Sequence, residues 1–145
     1  MKIIISIFWF LFFSATCFAS SESISITLKP TVGLTGTTSF NIHQDGQFTI
    51  LRYASPTEIT EKAIDLAPTI IIEIKTLAHK VFKEVMATED YAVWPEHKAT
   101  ISVAITKDRV TKSISSRRFS GSSLKLIDLL NNNLPKSENV SIGPK

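Results

Sequence analysis

The chain contains a single cysteine, Cys17, and this restricts how a domain of this size is held together. No disulfide can form within one copy, and Cys17 lies in an N-terminal segment that we expect to be removed. Many small domains rely on disulfides, so this chain must instead bury a hydrophobic core. Its 43% of hydrophobic residues is typical of a folded domain. Cysteine catalysis and thiolate metal binding are excluded for the mature chain.

The N-terminal residues carry the pattern of a secretory signal peptide. Lys2 supplies a positive charge, Ile3–Phe13 is an almost unbroken apolar run, and Ala19 is a small residue at the expected cleavage site. The apolar run is eleven residues long, whereas a membrane span needs about 20. We therefore expect residues 1–19 to be cleaved rather than kept as an anchor, so that Ser20 begins a mature, cysteine-free chain. The expected location is periplasmic or secreted, with no permanent membrane span after signal removal.

Alternating apolar and polar residues predict strands in the first part of the mature chain. Ser23–Lys29 alternates and is stopped by Pro30. Thr38–His43 and Gln47–Tyr53 then read as the two strands of a hairpin. The sequence therefore predicts one strand followed by a hairpin.

The loop length decides the register of this hairpin. A three-residue loop, Gln44–Gly46, places Ile42 opposite Phe48 and Phe40 opposite Ile50. This gives one apolar face, whereas a two-residue loop would set apolar residues against polar ones. We therefore predict a type I turn closed by a glycine in the left-handed conformation.

A long helix is predicted next. Ser55-Pro56-Thr57-Glu58 has the signature of a helix start, and an apolar stripe at helical spacing continues from Ile59 to Val85. Pro68 lies within the stripe, where it removes one backbone hydrogen bond, so we expect a kink or a break there. The run Thr69–Ile74, taken alone, would also suit a strand, but the sustained helical period favours a helix.

A second hairpin and a short helix complete the predicted domain. Ala99–Thr106 alternates, and a tight turn at Lys107-Asp108 would place Lys112 opposite Val103, as an unusual guest on an apolar face. Ser120–Ser123 predicts the start of a helix that ends at Pro135. The prediction is a single α+β domain over residues 20–135, with an antiparallel sheet of about five strands and the helices on one face. Residues 136–145 are predicted to form a flexible tail.

The sequence carries no motif for catalysis, a metal or a cofactor. His43 lies on a turn near Asp45, His79 has no helical metal-ligand partner, and His97 follows Glu96 in a loop. We therefore predict a binding protein without catalytic, metal or cofactor residues. A small extracytoplasmic hydrolase that uses His43 or His97 with a nearby carboxylate is the alternative.

Charge is unevenly distributed along the mature chain. Between residues 55 and 96 there are eight acidic residues and four lysines, and between residues 97 and 125 there are seven basic residues and one acidic residue. Either these segments attract each other across the fold, or the basic one forms an edge that binds an acidic partner.

The second interpretation gives the candidate site. Arginine and aromatic residues are enriched in protein interfaces, and the candidate partner-binding residues are Lys107, Arg109, Arg117, Arg118 and Phe119. Nucleic acid would require several stacking aromatics among the basic residues, so the expected partner is another protein with an acidic surface. Binding of a small anionic ligand by the basic hairpin is a further alternative.

The order of elements resembles that of emfourin-like bacterial proteins, which inhibit thermolysin-like metallopeptidases. The matching pieces are the turn Gly33–Gly36, the hairpin Phe40–Gly46, the strand Ile101–Ile105 and the helix Leu124–Leu134. The chain departs from the family because Val32 precedes Gly33, so that the family's glycine pair is absent, and its predicted long helix is longer. The resemblance implies a binding scaffold of inhibitor type and assigns no functional residue.

Overall fold

A computed structural model describes residues 22–30, 36–55, 57–87, 99–117 and 119–140 of the chain. The predicted signal peptide, residues 1–19, lies outside these ranges. Within them the elements are β1 (Glu22–Lys29), β2 (Thr37–Ile42), β3 (Phe48–Ser55), β4 (Glu58–Ile64), α1 (Pro68–Ala87), β5 (Thr100–Lys107), β6 (Val110–Ser116), α2 (Gly121–Asn133) and a 3-10 turn (Lys136–Glu138). Neither of the helices described is long and apolar enough to cross a membrane.

The strands form one antiparallel sheet in the order β4-β3-β2-β1-β5-β6. β1 pairs with β2 and with β5, so it lies inside the sheet, while β4 and β6 are its two edges. Both helices contribute to a single core on one face of the sheet. The predicted α+β fold is confirmed, with six strands where about five were expected.

One face of the sheet is apolar because alternate residues of each inner strand are apolar and point to the same face. Its buried residues are Ile24, Ile26, Leu28, Phe40, Ile42, Phe48, Ile50, Ile101 and Val103. The helices cover this face with Ile74, Ala78, Val81, Leu126, Ile127 and Leu130. Burial of these side chains is the main stabilising contribution to the fold, since no disulfide is available.

Small hydroxyl side chains occupy much of the opposite face. Thr27 Oγ1 and Ser39 Oγ lie 2.7 Å apart across β1 and β2. Ser102 Oγ and Ser115 Oγ lie 2.9 Å apart across β5 and β6. These hydrogen bonds connect neighbouring strands without an apolar layer.

The hairpin of β2 and β3 has the predicted register, with Ile42 opposite Phe48. The N–H of Gly46 donates to the carbonyl oxygen of His43 at 3.0 Å. Gly46 has a φ of 86°, which glycine adopts without steric cost. The predicted three-residue loop is therefore confirmed.

The predicted long helix is wrong in its first part. Glu58–Ile64 is strand β4, which pairs with β3, and α1 begins only at Pro68. The hydroxyl of Ser55 accepts a hydrogen bond from the N–H of Glu58 at 3.1 Å and so stabilises the β3–β4 turn. A serine that caps a helix makes the same contact with an amide two or three residues later. The local signature therefore fits a turn as well as a helix start.

Pro68 begins α1 and does not kink a longer helix. A proline is tolerated in the first helical turn because its missing N–H would have no partner there. The N–H groups of Ile70 and Ile71 donate to the carbonyl oxygen of Ala67 at 2.9 and 3.2 Å. The helical interpretation of Thr69–Ile74 is confirmed, since α1 continues without interruption to residue 87.

The second hairpin forms with a turn one residue later than predicted. Asp108 and Arg109 form this turn, with φ angles of 51° and 65°. Positive φ at both positions gives the twist that a two-residue hairpin loop requires. Lys112 consequently lies opposite Ile105, and the predicted pairing with Val103 is wrong. Because the shift is two residues, each side chain remains on its predicted face.

The start and end of α2 follow the prediction. Ser120 is the N-cap, and its hydroxyl accepts a hydrogen bond from the N–H of Ser123 at 3.2 Å. Leu126 and Leu130 are fully buried against the sheet. The helix ends just before Pro135, which cannot continue it.

The C-terminal segment, for which we predicted a flexible tail over residues 136–145, begins with the 3-10 turn Lys136–Glu138. The Glu138 carboxylate lies 3.2 Å from Arg52 Nη2 on β3 and 3.0 Å from Lys62 Nζ on β4. Its side chain is only 12% exposed. These ion pairs connect the turn to the two strands at one end of the sheet.

Replacing Glu138 with glutamine is expected to lower the free energy of unfolding by about 1 kcal/mol at neutral pH, because two partly exposed ion pairs are lost. The hydrogen bond from Lys62, followed by the charge of Arg52, holds the pKa of Glu138 below its ordinary value. The stabilisation is therefore present above the ordinary glutamate pKa and disappears as the pH falls through the lowered one. Chemical denaturation at about pH 7 and about pH 3 should show a smaller difference at the lower pH. Glu73→Gln on the exposed side of α1 is the control, and an equal loss in both variants would contradict the ion-pair account.

Candidate functional site

The edge strand β6 is the most accessible backbone in the region of predicted partner-binding residues. It pairs with β5 on one side and with no other described strand. Residues 110–113 are all exposed, and Val110 is 60% exposed. An open edge of this kind presents unpaired N–H and C=O groups to any chain that approaches in an extended conformation.

The antiparallel register determines which groups of β6 point outward. The residues that flank a two-residue hairpin loop exchange hydrogen bonds, and bonded and non-bonded pairs then alternate along the strands. Val110, Lys112 and Ile114 therefore bond to β5. The N–H and C=O groups of Thr111, Ser113 and Ser115 point away from the sheet, toward the open edge.

Three exposed cations lie at the turn end of this edge. Lys107 ends β5, Arg109 lies in the turn, and Lys112 projects from β6 on the helix-covered side of the sheet. None of them forms an ion pair with another residue in the described ranges. We call Lys107, Arg109, Lys112 and the outward backbone of residues 111–115 the basic edge.

The structure brings together only some of the predicted partner-binding residues. Lys107 and Arg109 lie at one end of the hairpin, and Arg117 follows the other end of β6. The seven residues of β6 span roughly 24 Å, so Arg117 is remote from the turn. Arg118 lies outside the described residues. Phe119 is half-buried and packs against the core, so it is not an exposed anchor.

An acidic group reduces the positive character of this far end. Ser122 Oγ donates to Glu84 Oε1 at 2.5 Å, which connects α1 to the start of α2. Hydrogen bonds from Ser120 and Ser122 lower the pKa of Glu84. The carboxylate is therefore ionised at neutral pH and lies next to the segment that follows β6.

Two of the three histidines, His43 and His79, each lie close to one polar side chain. His43 Nε2 lies 2.9 Å from Thr49 Oγ1 on the hydroxyl-rich face. His79 Nε2 lies 3.1 Å from Glu22 Oε1, at the start of β1. His97 lies outside the described residues. No group of three histidine, cysteine or carboxylate side chains in the described part of the chain is placed to hold a metal ion.

Sequence reasoning missed Lys112 and the outward-pointing backbone of β6. The available signal was a lysine in the middle of an apolar alternation, since charged side chains on inward-facing positions are typical of edge strands. Which amides point outward depends on the strand order and on the position of the turn. Neither can be read from β6 alone.

The sequence matches no protein-family model, and it matches no curated protein at a significant level.

Proposed function

We propose that the protein is an exported binding protein whose basic edge pairs with an extended, acidic segment of a partner protein. The observation that carries the proposal is the open, solvent-exposed edge of β6 with exposed cations at its turn end. Export is proposed from the pattern of residues 1–19.

Strand addition supplies affinity through main-chain hydrogen bonds, and side chains on alternate positions supply specificity. An added strand would lie next to Val110, Lys112 and Ile114 on one face of the sheet. On the other face it would lie next to Thr111, Ser113 and Ser115. The complementary segment therefore has the order apolar, acidic, apolar on the first face and small polar residues on the second.

The cations give this edge selectivity. A lysine on an edge strand discourages pairing with neutral strands, since its charge would lose water without gaining a partner. An acidic strand supplies that partner, and like charges reject basic strands. If the segment belongs to an enzyme, pairing would block the surface around it, and this is the form of inhibition that we propose.

The test uses a synthetic peptide of seven residues, the length of β6: Thr-Val-Thr-Glu-Thr-Val-Asp. In an antiparallel complex its glutamate lies opposite Lys112 and its aspartate next to Arg109. A peptide with lysine in place of both acids is the control ligand. The acidic peptide should bind to the purified chain, and the lysine peptide should not.

Reversing two charges of the basic edge, Arg109→Glu with Lys112→Glu, should slow association of the acidic peptide at least about tenfold, because charge complementarity acts mainly on the encounter rate. Higher salt should have the same direction of effect, since exposed charges are screened within about 10 Å at 0.1 M. Lys80→Glu with Lys83→Glu on the exposed side of α1 is the matched control. Stopped-flow fluorescence gives the rates. Equal slowing in both double variants would mean that only net charge matters and would contradict a specific edge.

A further inference from the structure

We infer that the chain itself carries a segment that fits the basic edge, namely the opposite edge strand β4 of a second copy, so that copies associate head to tail. This inference rests on the proposed function, because it names one occupant of the same edge. Self-association would then compete with the binding of other partners.

The two edges of the sheet have opposite charge. Glu58, Glu61 and Asp65, on or just after β4, are exposed. The one lysine of β4, Lys62, is already paired with Glu138. The β4 edge is therefore acidic where the β6 edge is basic, and each edge repels a second copy of itself.

The backbone of β4 is available in the same way as that of β6. Along each strand of an antiparallel sheet, successive residues bond alternately to the neighbouring strand on one side and on the other. Following this alternation from the β2–β3 hairpin, Thr60, Lys62 and Ile64 bond to β3. The amides of Ile59, Glu61 and Ala63 consequently point outward from the sheet. Both edge strands are seven residues long, and in the register argued below residues 110–114 of β6 lie opposite residues 62–58 of β4.

Strand direction also fits. Each neighbouring pair in the sheet is antiparallel, so β4 and β6 run in opposite directions. A second copy in the same orientation, placed next to the first, meets β6 with an antiparallel β4. The helices of both copies then lie on the same side of one continuous sheet. A contact of this type leaves one edge free on each outer copy and does not close on itself.

Charge and strand overlap together select one register among those in which outward amides face each other. Pairing Thr111 with Ile59 would set Lys112 opposite Glu58, but it would pair only three residues of each strand. Pairing Thr111 with Glu61 pairs five residues of each strand and places Lys112 opposite Thr60, with Glu58 and Lys62 in the two diagonal positions. Sliding the pairing so that Thr111 meets the residue two positions later would bring the two lysines directly opposite, which is unfavourable.

The same register brings complementary groups together at the turn end. Arg109 lies opposite Ala63. Glu61 and Asp65 lie two residues to either side of Ala63, on the same face of the sheet. Val110, 60% exposed, stands opposite Lys62 and diagonal to Ile64. Ile64 lines a cavity of 330 Å³ at the end of β4, together with Phe48, Leu66 and Ile71. Ile64 therefore gives the exposed valine an apolar neighbour on the second copy.

The test combines two variants that each remove one outward amide. Ser113→Pro blocks β6 and Ile59→Pro blocks β4, whereas Ser113→Thr and Ile59→Val keep the amides as controls. Sedimentation velocity of the wild-type chain at low salt should show dimers and larger species that increase with concentration. Each proline variant alone should be monomeric. Equal amounts of the two variants should form a dimer that grows no further. Each chain then has only one edge that can pair, β4 in one variant and β6 in the other.

Three results would overturn the inference: a wild-type chain that stays monomeric, a wild-type dimer that never grows, or a proline variant that associates like the wild type. Thermal unfolding of each variant shows whether it is folded, and an unfolded variant is replaced by Glu61→Lys with Asp65→Lys in β4, or by Arg109→Glu with Lys112→Glu in β6. Binding of the acidic peptide to Ile59→Pro separates this inference from the proposed function. Peptide binding without self-association removes only the inference, and self-association without peptide binding removes the proposed specificity for acidic partner segments.

Discussion

Replacing Phe40 with alanine is expected to lower the free energy of unfolding by about 3–5 kcal/mol, the range seen when a large buried aromatic side chain is removed from a core. Phe40 is completely buried on β2. Its ring stacks on that of Phe48 with 6.2 Å between the ring centroids. The cavity left by the substitution would lie between sheet and helices, where neither layer can collapse freely. A loss of this size is a large fraction of the roughly 5–15 kcal/mol that stabilises a typical domain.

Urea denaturation followed by circular dichroism measures the effect. Ile72→Ala is the control, because Ile72 is 64% exposed on α1 and should change stability by less than about 0.5 kcal/mol. Similar losses in both variants would show that the face between the sheet and the helices is not the core.

Ser113→Pro is expected to weaken binding of the acidic peptide at least about tenfold, because one outward N–H is lost and the proline ring obstructs the approaching strand. The amide of Ser113 points away from β5, so the existing ladder of the sheet is preserved. Proline is tolerated on edge strands for this reason, and the melting temperature should change little. The effect on binding is therefore expected to be much larger than the effect on folding.

Ser113→Thr keeps both the amide and a hydroxyl and serves as the control, with affinity expected within about twofold of the wild type. Isothermal titration calorimetry gives both affinities. If the proline variant binds the peptide as well as the threonine variant does, recognition uses side chains alone and strand addition is wrong.

Local patterns predicted the β2–β3 hairpin because a few neighbouring residues determine both its turn and its register. A glycine at the only loop position that requires positive φ, and an apolar face that appears in a single register, leave no competing structure there. The same holds for Ser120 and the apolar stripe of α2, where cap and core residues agree.

Strand β4 could not be predicted in this way. All of its residues except Ile64 are exposed, so burial imposes no period-two pattern on them. Ile59 and Ala63 happen to continue the spacing of the helix that follows. The strand exists because β3 offers a free edge, and that is a long-range contact which local propensity does not contain.

The sequence predicted which kinds of residue form the candidate site, but not how these residues are arranged in space. The excess of lysine and arginine in the hairpin region identified Lys107 and Arg109. It also grouped them with Arg117, although the length of β6 separates the two ends. Strand order determines that β6 is an edge. The alternation of bonded and non-bonded pairs between β5 and β6 determines which amides point outward. Both are properties of the whole sheet.

Amide hydrogen exchange, measured by NMR with and without the acidic peptide, tests strand addition at β6 most directly. In the Ile59→Pro background, which keeps β6 free of a second copy, the amides of Thr111, Ser113 and Ser115 should exchange quickly, whereas those of Lys112 and Ile114 are protected by β5. Addition of the peptide should slow exchange at Ser113, and at the outward amides paired with the peptide, at least about tenfold. Saturating peptide that leaves the exchange of the outward amides unchanged would contradict the proposed edge.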